Sequence, residues 1–254
     1  MACSPHHIAK DEVEQDSYEW ELVWEDDFNG TELDSKSWSR VPRGSSDWNN
    51  TMSSREDLVY LEDGNLVLLG KVNDGTGTET TTFVTGGVAG MSKKTFALAK
   101  FEVRAKFNHV TGFWPAIWLL AQGKSWPNGG EIDIMEHLNF DSFVYQTVHS
   151  NYTQHVNDKN PPHSTTARIQ TGDYNVYAVE IHKDSLCFSV NDKHTLTYPR
   201  VAGLTDQFPW ADNSFYFILS NQVEGSWVGS ATRPEQFPTE LRIDWVRVYQ
   251  KKEK

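Results

Sequence analysis

The residues best equipped for chemistry fall in one run, Gly129-Gly130-Glu131-Ile132-Asp133-Ile134-Met135-Glu136-His137. Read as a strand, Glu131 and Asp133 share a face, because side chains alternate, and Ile132 and Ile134 take the other. Glu136, five positions after Glu131, would then point into the core as an unpaired carboxylate, which is costly. One extra residue at Ile134-Met135, a β-bulge, returns it to the acidic face. Carboxylates this close repel, so one keeps its proton towards neutral pH while another ionises. A proton donor beside an ionised nucleophile is what cleavage of a glycosidic bond with retention requires, with the two carboxyl groups roughly 5–5.5 Å apart. Asp133 lies between them and can hydrogen-bond one or both, helping to set which stays ionised. A solvated acidic strand face is the competing reading. Three same-face acids in an otherwise apolar strand, flanked by Trp-rich segments, weigh against it.

The elements around this run read as strands. Phe101–Phe107 alternates strictly, as do Tyr177–His182 and Leu186–Asn191, which Lys183-Asp184-Ser185 joins as a hairpin. Asn65–Leu69 follows the turn Glu62-Asp63-Gly64. Leu241–Trp245 alternates and then shifts phase into Val246 and Val248, which predicts a bulge or a strand buried on both faces. No long segment carries a capped 3.6-residue stripe. Gly75–Thr78 and Asn157–Thr166 read as loops. Short strands punctuated by Gly, Asn, Asp and Pro predict an all-β sandwich or barrel. We expect one domain over residues 18–254, after a tail of residues 1–17.

The 254 residues carry 23 Lys and Arg against 35 Asp and Glu, a formal charge of −12. This balance points away from nucleic acid and anionic membranes, both of which need a basic footprint. The apolar run Trp114–Ala121 contains Pro115 and is too short to span a bilayer. Two cysteines, Cys3 and Cys187, make neither a disulfide framework nor a four-cysteine zinc site. Ten Trp residues suit either a β-rich core or an aromatic cleft for a flat, uncharged ligand such as a sugar ring.

The run Glu131–His137 resembles the bulged catalytic signature of glycoside hydrolase family 16. Trp24–Gly30 resembles that family's opening strand and Gly112–Leu120 the strand before the catalytic one. Thr147-Val148-His149 resembles the strand after it, and Ile243–Tyr249 the closing strand. The resemblance covers nearly all of the chain after the tail. It implies a jelly-roll β-sandwich of two stacked antiparallel sheets, with substrate lying across a concave cleft. It implies Glu131 as nucleophile, Glu136 as general acid/base and Asp133 as assisting carboxylate. Trp114, Trp118 and Trp126 are placed to stack on sugars, with Trp227 a further platform. Asn50 resembles a polar contact on the non-reducing side, and His149 a cleft histidine beside the acid/base. Trp118 could equally pack the core, and Asn50 could form a turn with Asn49. Gly86–Met91 lacks an Arg that many relatives carry, and Gln222 and Glu224 stand where smaller or apolar residues are expected. Gln222 is counted with the substrate-binding set.

The resemblance also implies no cofactor for catalysis, and a structural Ca²⁺ held by the Asp244 carboxylate and by backbone oxygens of Gly64 and of a residue within Glu25–Asp27, taken here as Asp27. Oxygen donors suit such a cation. The expected activity is retaining endo-hydrolysis of β-1,3-linked or mixed-linkage β-1,3/1,4-glucan. A galactan hydrolase, a transglycosylase and a non-catalytic glucan-binding protein are the alternatives. Ala2-Cys3 looks like the end of a bacterial lipoprotein signal, with Lys10–Asp16 as a polar tether, against an ordinary tail with an incidental Cys. The expectation is therefore an exported monomer, at the cell surface through a lipid on Cys3 or extracellular.

Overall fold

The computed structural model describes residues 18–253, so the tail and Cys3 lie outside the described residues. In chain order the strands are β1 (Tyr18–Asp26), β2 (Ser39–Arg40), β3 (Val59–Glu62), β4 (Asn65–Val72), β5 (Phe83–Thr85), β6 (Gly87–Ala89), β7 (Ala99–Phe107), β8 (Phe113–Ala121), β9 (Glu131–Glu136), β10 (Phe143–His149), β11 (Ser164–Arg168), β12 (Asn175–Ile181), β13 (Ser185–Val190), β14 (Lys193–Pro199), β15 (Phe215–Val223) and β16 (Thr239–Glu253). One short helix, α1 (Asn151–His155), follows β10. A seven-stranded sheet runs β11-β10-β9-β8-β15-β6-β2. A nine-stranded sheet runs β14-β13-β12-β7-β16-β4-β3, with β1 added beside β16 and β5 beside β4. The strands pair antiparallel throughout both sheets.

Period-two patterning builds this arrangement. Phe113, Ile117 and Leu119 of β8, Ile132 of β9 and Val144 and Val148 of β10 point inward. They meet Phe101 and Val103 of β7, Val179 of β12 and Val246 of β16 in one buried cluster. Burying each such side chain contributes about 1.5–3 kcal/mol, so a one-residue slip that turned a strand over would be strongly disfavoured. That sandwich is the jelly-roll expected from the resemblance.

Two phase shifts come out as bulges. In β9, Ile117 pairs with Met135 and Trp118 with Asp133, leaving Ile134 as the extra residue. Ile134 and Met135 are consecutive, yet both are fully buried in the same core. In β16, Ile243 pairs with Ala105 and Trp245 with Arg104, leaving Asp244 over.

The loop expected at Asn157–Thr166 needs correction at its end. Ser164, Thr165 and Thr166 belong to β11, the edge strand paired to β10. Their polarity suits a strand with only one paired edge, which is why composition reads them as a loop.

Candidate active site

The outward face of the seven-stranded sheet forms a cleft of about 630 Å³. Strand β9 runs across its floor, and register decides the neighbours of each acid. His149 of β10 stands opposite Glu131, Thr147 opposite Asp133 and Tyr145 opposite Glu136. The bulge brings Glu136 out, so all three carboxylates line the cleft. Gly130, just before the strand, has φ +85, and a Cβ there would lie 2.7 Å from Trp210 Nε1. Only glycine allows the chain to turn into β9 against that buried indole.

The carboxylates are held in a protonation-poised state. Burial pushes Asp133 up to about 8. Burial and then the Asp133 charge push both Glu131 and Glu136 well above the usual carboxylate range. Against this, His149 and the Trp126 indole N–H favour ionisation of Glu131. Trp114 Nε1 donates to Glu136 Oε1 at 3.0 Å and does the same there. A neutral Asp133 is free to donate a hydrogen bond, and its proton removes the like charge that most opposes an ionised Glu131 after burial. His149 Nε2 lies 3.2 Å from Asp133 Oδ2 and 3.7 Å from Glu131 Oε1. Its Nδ1 is 2.6 Å from the Gln154 amide nitrogen of α1.

The aromatic residues fall at distinct places. Trp114, Trp227 and Tyr145 make an edge-to-face group at the Glu136 end, with centroids 5.4 Å and 5.0 Å apart. Trp227 is 45% exposed. Trp126 is 55% exposed and turns its indole towards Glu131. Trp118 faces the cleft rather than the main core, yet is only 6% exposed. The Trp48 ring covers it edge-on at 4.8 Å, and its Nε1 donates to Ser220 Oγ at 3.1 Å. It therefore forms the floor beneath the acids.

Asn50 and Gln222 work together and not singly. Gln222 Nε2 donates to Asn50 Oδ1 at 2.8 Å, and its Oε1 accepts from Thr51 Oγ1 at 2.9 Å. Gln222 borders the cleft with its amide already committed, while Asn50 stands one step behind the wall. The pair ties the turn that carries Trp48 to β15. Glu224 Oε1 accepts from the Ala231 backbone, away from the acids.

Of the expected calcium donors, Asp244 alone offers a side-chain carboxylate, and that group already has a protein partner. Asp244 Oδ2 is paired with the Arg104 guanidinium. Asp27 is hydrogen-bonded through both oxygens to Asn29, and Asn29 Oδ1 lies 3.0 Å from where a Cβ on Gly64 would be. Asp27, Asn29 and Gly64 thus lie together.

Cleft residues that the sequence reading missed include Trp48, Tyr145, Thr147, His163 and Ser164, Thr165 and Thr166 of β11. Counting back by twos from His149 would have found Thr147 and Tyr145. Trp48 carries no local signal, because it reaches the cleft only through packing on Trp118.

Comparison with known proteins agrees with this geometry. Residues 42–200 match a family model described as the XgeA-like, catalytic GH16 domain. A keratan-sulfate endo-1,4-β-galactosidase of Sphingobacterium multivorum is 36% identical over 91% of this chain, and the chain spans 55% of that relative's length. A β-glucanase of Rhodothermus marinus is 31% identical over 91% of this chain and 85% of its own. A solved structure from work on endo-acting O-glycanases that initiate mucin breakdown in human gut bacteria superposes with TM-score 0.78. It is 30% identical and covers 92% of both chains.

Proposed function

The chain belongs to glycoside hydrolase family 16, and from that premise we propose a retaining endo-hydrolase of an uncharged β-linked glycan, with β-1,3-linked or mixed-linkage β-1,3/1,4-glucan as first substrate. The observation that carries it is the Ile134-Met135 bulge, which sets Glu131 and Glu136 on one cleft face with Asp133 between them. Glu131 attacks the anomeric carbon. Glu136 protonates the departing glycosidic oxygen, then takes a proton from water as that water releases the glycosyl-enzyme. Asp133, neutral by burial, hydrogen-bonds the attacking carboxylate and spares it a second negative charge. The exposed Trp126 and Trp227 offer flat faces to sugar rings on either side.

A second reading is cleavage of an internal β-galactosidic bond, favoured by the 36% identity to the keratan-sulfate enzyme. Among the described residues, those lining the cleft include three carboxylates and two histidines but no Lys or Arg. A sulfate ester would meet negative charge there without a fixed cation to pair it. The galactosidic reading is therefore for unsulfated chains.

A reducing-sugar assay with product sizing on laminarin, barley glucan, lichenan, agarose, xyloglucan, keratan sulfate and desulfated keratan tests both. Release of internal fragments from the glucans supports the first reading. Release from desulfated keratan alone replaces it with the second, and activity on none refutes both. Adding an oligosaccharide acceptor separates hydrolysis from transglycosylation. Export and a lipid on Cys3, which lies outside the described residues, belong to the same proposal. Cys3→Ala should release the precursor from membranes in its host. Action as a monomer is checked by light scattering.

A further inference from the structure

The cleft contains a donor set suited to something other than a sugar. One carboxylate oxygen each from Glu131 and Asp133 and one ring nitrogen of His149 lie within 4.8 Å of one another. From His149 Nε2 the distances are 3.2 Å to Asp133 Oδ2 and 3.7 Å to Glu131 Oε1. Tetrahedral zinc with nitrogen and oxygen bonds of about 2.0–2.1 Å has ligand–ligand edges of about 3.3–3.4 Å. Two edges thus match to within a few tenths of an ångström, and the third, between Glu131 and Asp133, is no longer than 4.8 Å. Independently, Asp133 is only 4% exposed, and its Oδ2 has no hydrogen-bond donor in bonding geometry. A buried carboxyl oxygen left unmatched is costly, and a cation that displaced the Asp133 proton would match it.

We propose that Glu131, Asp133 and His149 form a three-ligand site for a divalent cation of the zinc class, and that filling it reversibly shuts the enzyme off. Two carboxylates and an imidazole are a donor set that zinc accepts, and the fourth position opens onto the cleft. Coordination engages the Glu131 oxygen lone pair, so that oxygen no longer attacks carbon. Gln154 supplies the outer support. With its amide turned end for end, Gln154 Oε1 accepts the Nδ1 proton and the Nε2 lone pair faces the carboxylates. Amide ends exchange at little cost, so the histidine can serve either as donor to Asp133 or as metal ligand.

Titration calorimetry of the full chain with zinc chloride tests this, with magnesium chloride as the hard-cation control. The expected result is one zinc bound at the cleft, at least tenfold weaker binding in His149→Gln and Asp133→Asn, and about tenfold weaker binding in Gln154→Ala. Saturating zinc should abolish hydrolysis while magnesium leaves it unchanged. Zinc affinity equal to wild type in His149→Gln, with its melting temperature retained, overturns the proposal. If that variant fails to fold, Gln154→Ala decides, since Gln154 lies on a surface helix; unchanged affinity there overturns the proposal equally. Zinc binding is read directly, so the result stands apart from which glycan is cleaved.

Discussion

Replacing Trp114 by Phe should move the alkaline limb of the pH–rate profile upwards. Trp114 Nε1 donates a 3.0 Å hydrogen bond to Glu136 Oε1, and this contact favours the ionised carboxylate. Its loss makes ionisation harder, so Glu136 keeps its proton to higher pH. A hydrogen bond to a charged group contributes about 1.5–3 kcal/mol, and one pH unit corresponds to about 1.4 kcal/mol. The full range is therefore about one to two units. Trp114 is only partly buried, so water can replace some of the bond, and about one unit is expected. The general acid must be protonated to act, and kcat/KM against pH reports that group in the free enzyme. Trp227→Phe is the control, because Trp227 packs on Trp114 without being bonded to Glu136. Its limb should stay in place. An unmoved limb in Trp114→Phe, or one shifted to lower pH, would refute the assignment of Glu136 as the acid and of Trp114 as its tuning partner.

Glu136→Ala should lose about 10²–10⁴-fold on polysaccharide, but retain the first step on an aryl glycoside with an acidic phenol. Azide should rescue it to a β-configured glycosyl azide, whereas Glu131→Ala rescued by azide should yield the α anomer; proton NMR distinguishes them, and the reverse pattern swaps the roles. Trp126→Ala should leave the melting temperature nearly unchanged, since the ring is 55% exposed, while weakening glycan binding about 2- to 10-fold by calorimetry. An unfolded variant would place Trp126 in the core instead. His137 is fully buried, with Nε2 2.8 Å from the Asp141 carbonyl, and burial pushes it down to about 4. The unfolded chain then takes up the proton first, so the stability tied to a neutral His137 is complete above pH ~6.5 and is lost as pH falls towards 4. Urea melts at pH 7 and pH 4 should show wild type losing about 3 kcal/mol more than His137→Gln between the two. An equal loss in both would show that His137 carries no such coupling.

Strand β9 was legible as sequence because its constraints are local. Alternation puts Glu131 and Asp133 on one face, and the cost of burying Glu136 unpaired demands the extra residue that the structure places at Ile134. The same period-two logic located β7, β12, β13 and the phase shift in β16, since a half-buried strand writes its two faces into consecutive residues; β4 was marked instead by the turn before it. The short polar edge strand β11 escaped it, because neither of its faces is continuously apolar. What stands across from each acid was decided by tertiary structure. Tyr145 meets Glu136 through strand register, and Trp48 covers Trp118 from 70 positions earlier in the chain. Arg104, 140 positions from Asp244, takes the carboxylate expected to hold calcium. Gln222, adjacent to the cleft by its strand position, spends its amide on Asn50 and Thr51, over 170 residues away. Residue type and spacing determine which groups can do chemistry and which way a strand turns them. The partners that set their charge and free or occupy their hydrogen bonds come from distant segments, brought together only when both sheets close over a common core.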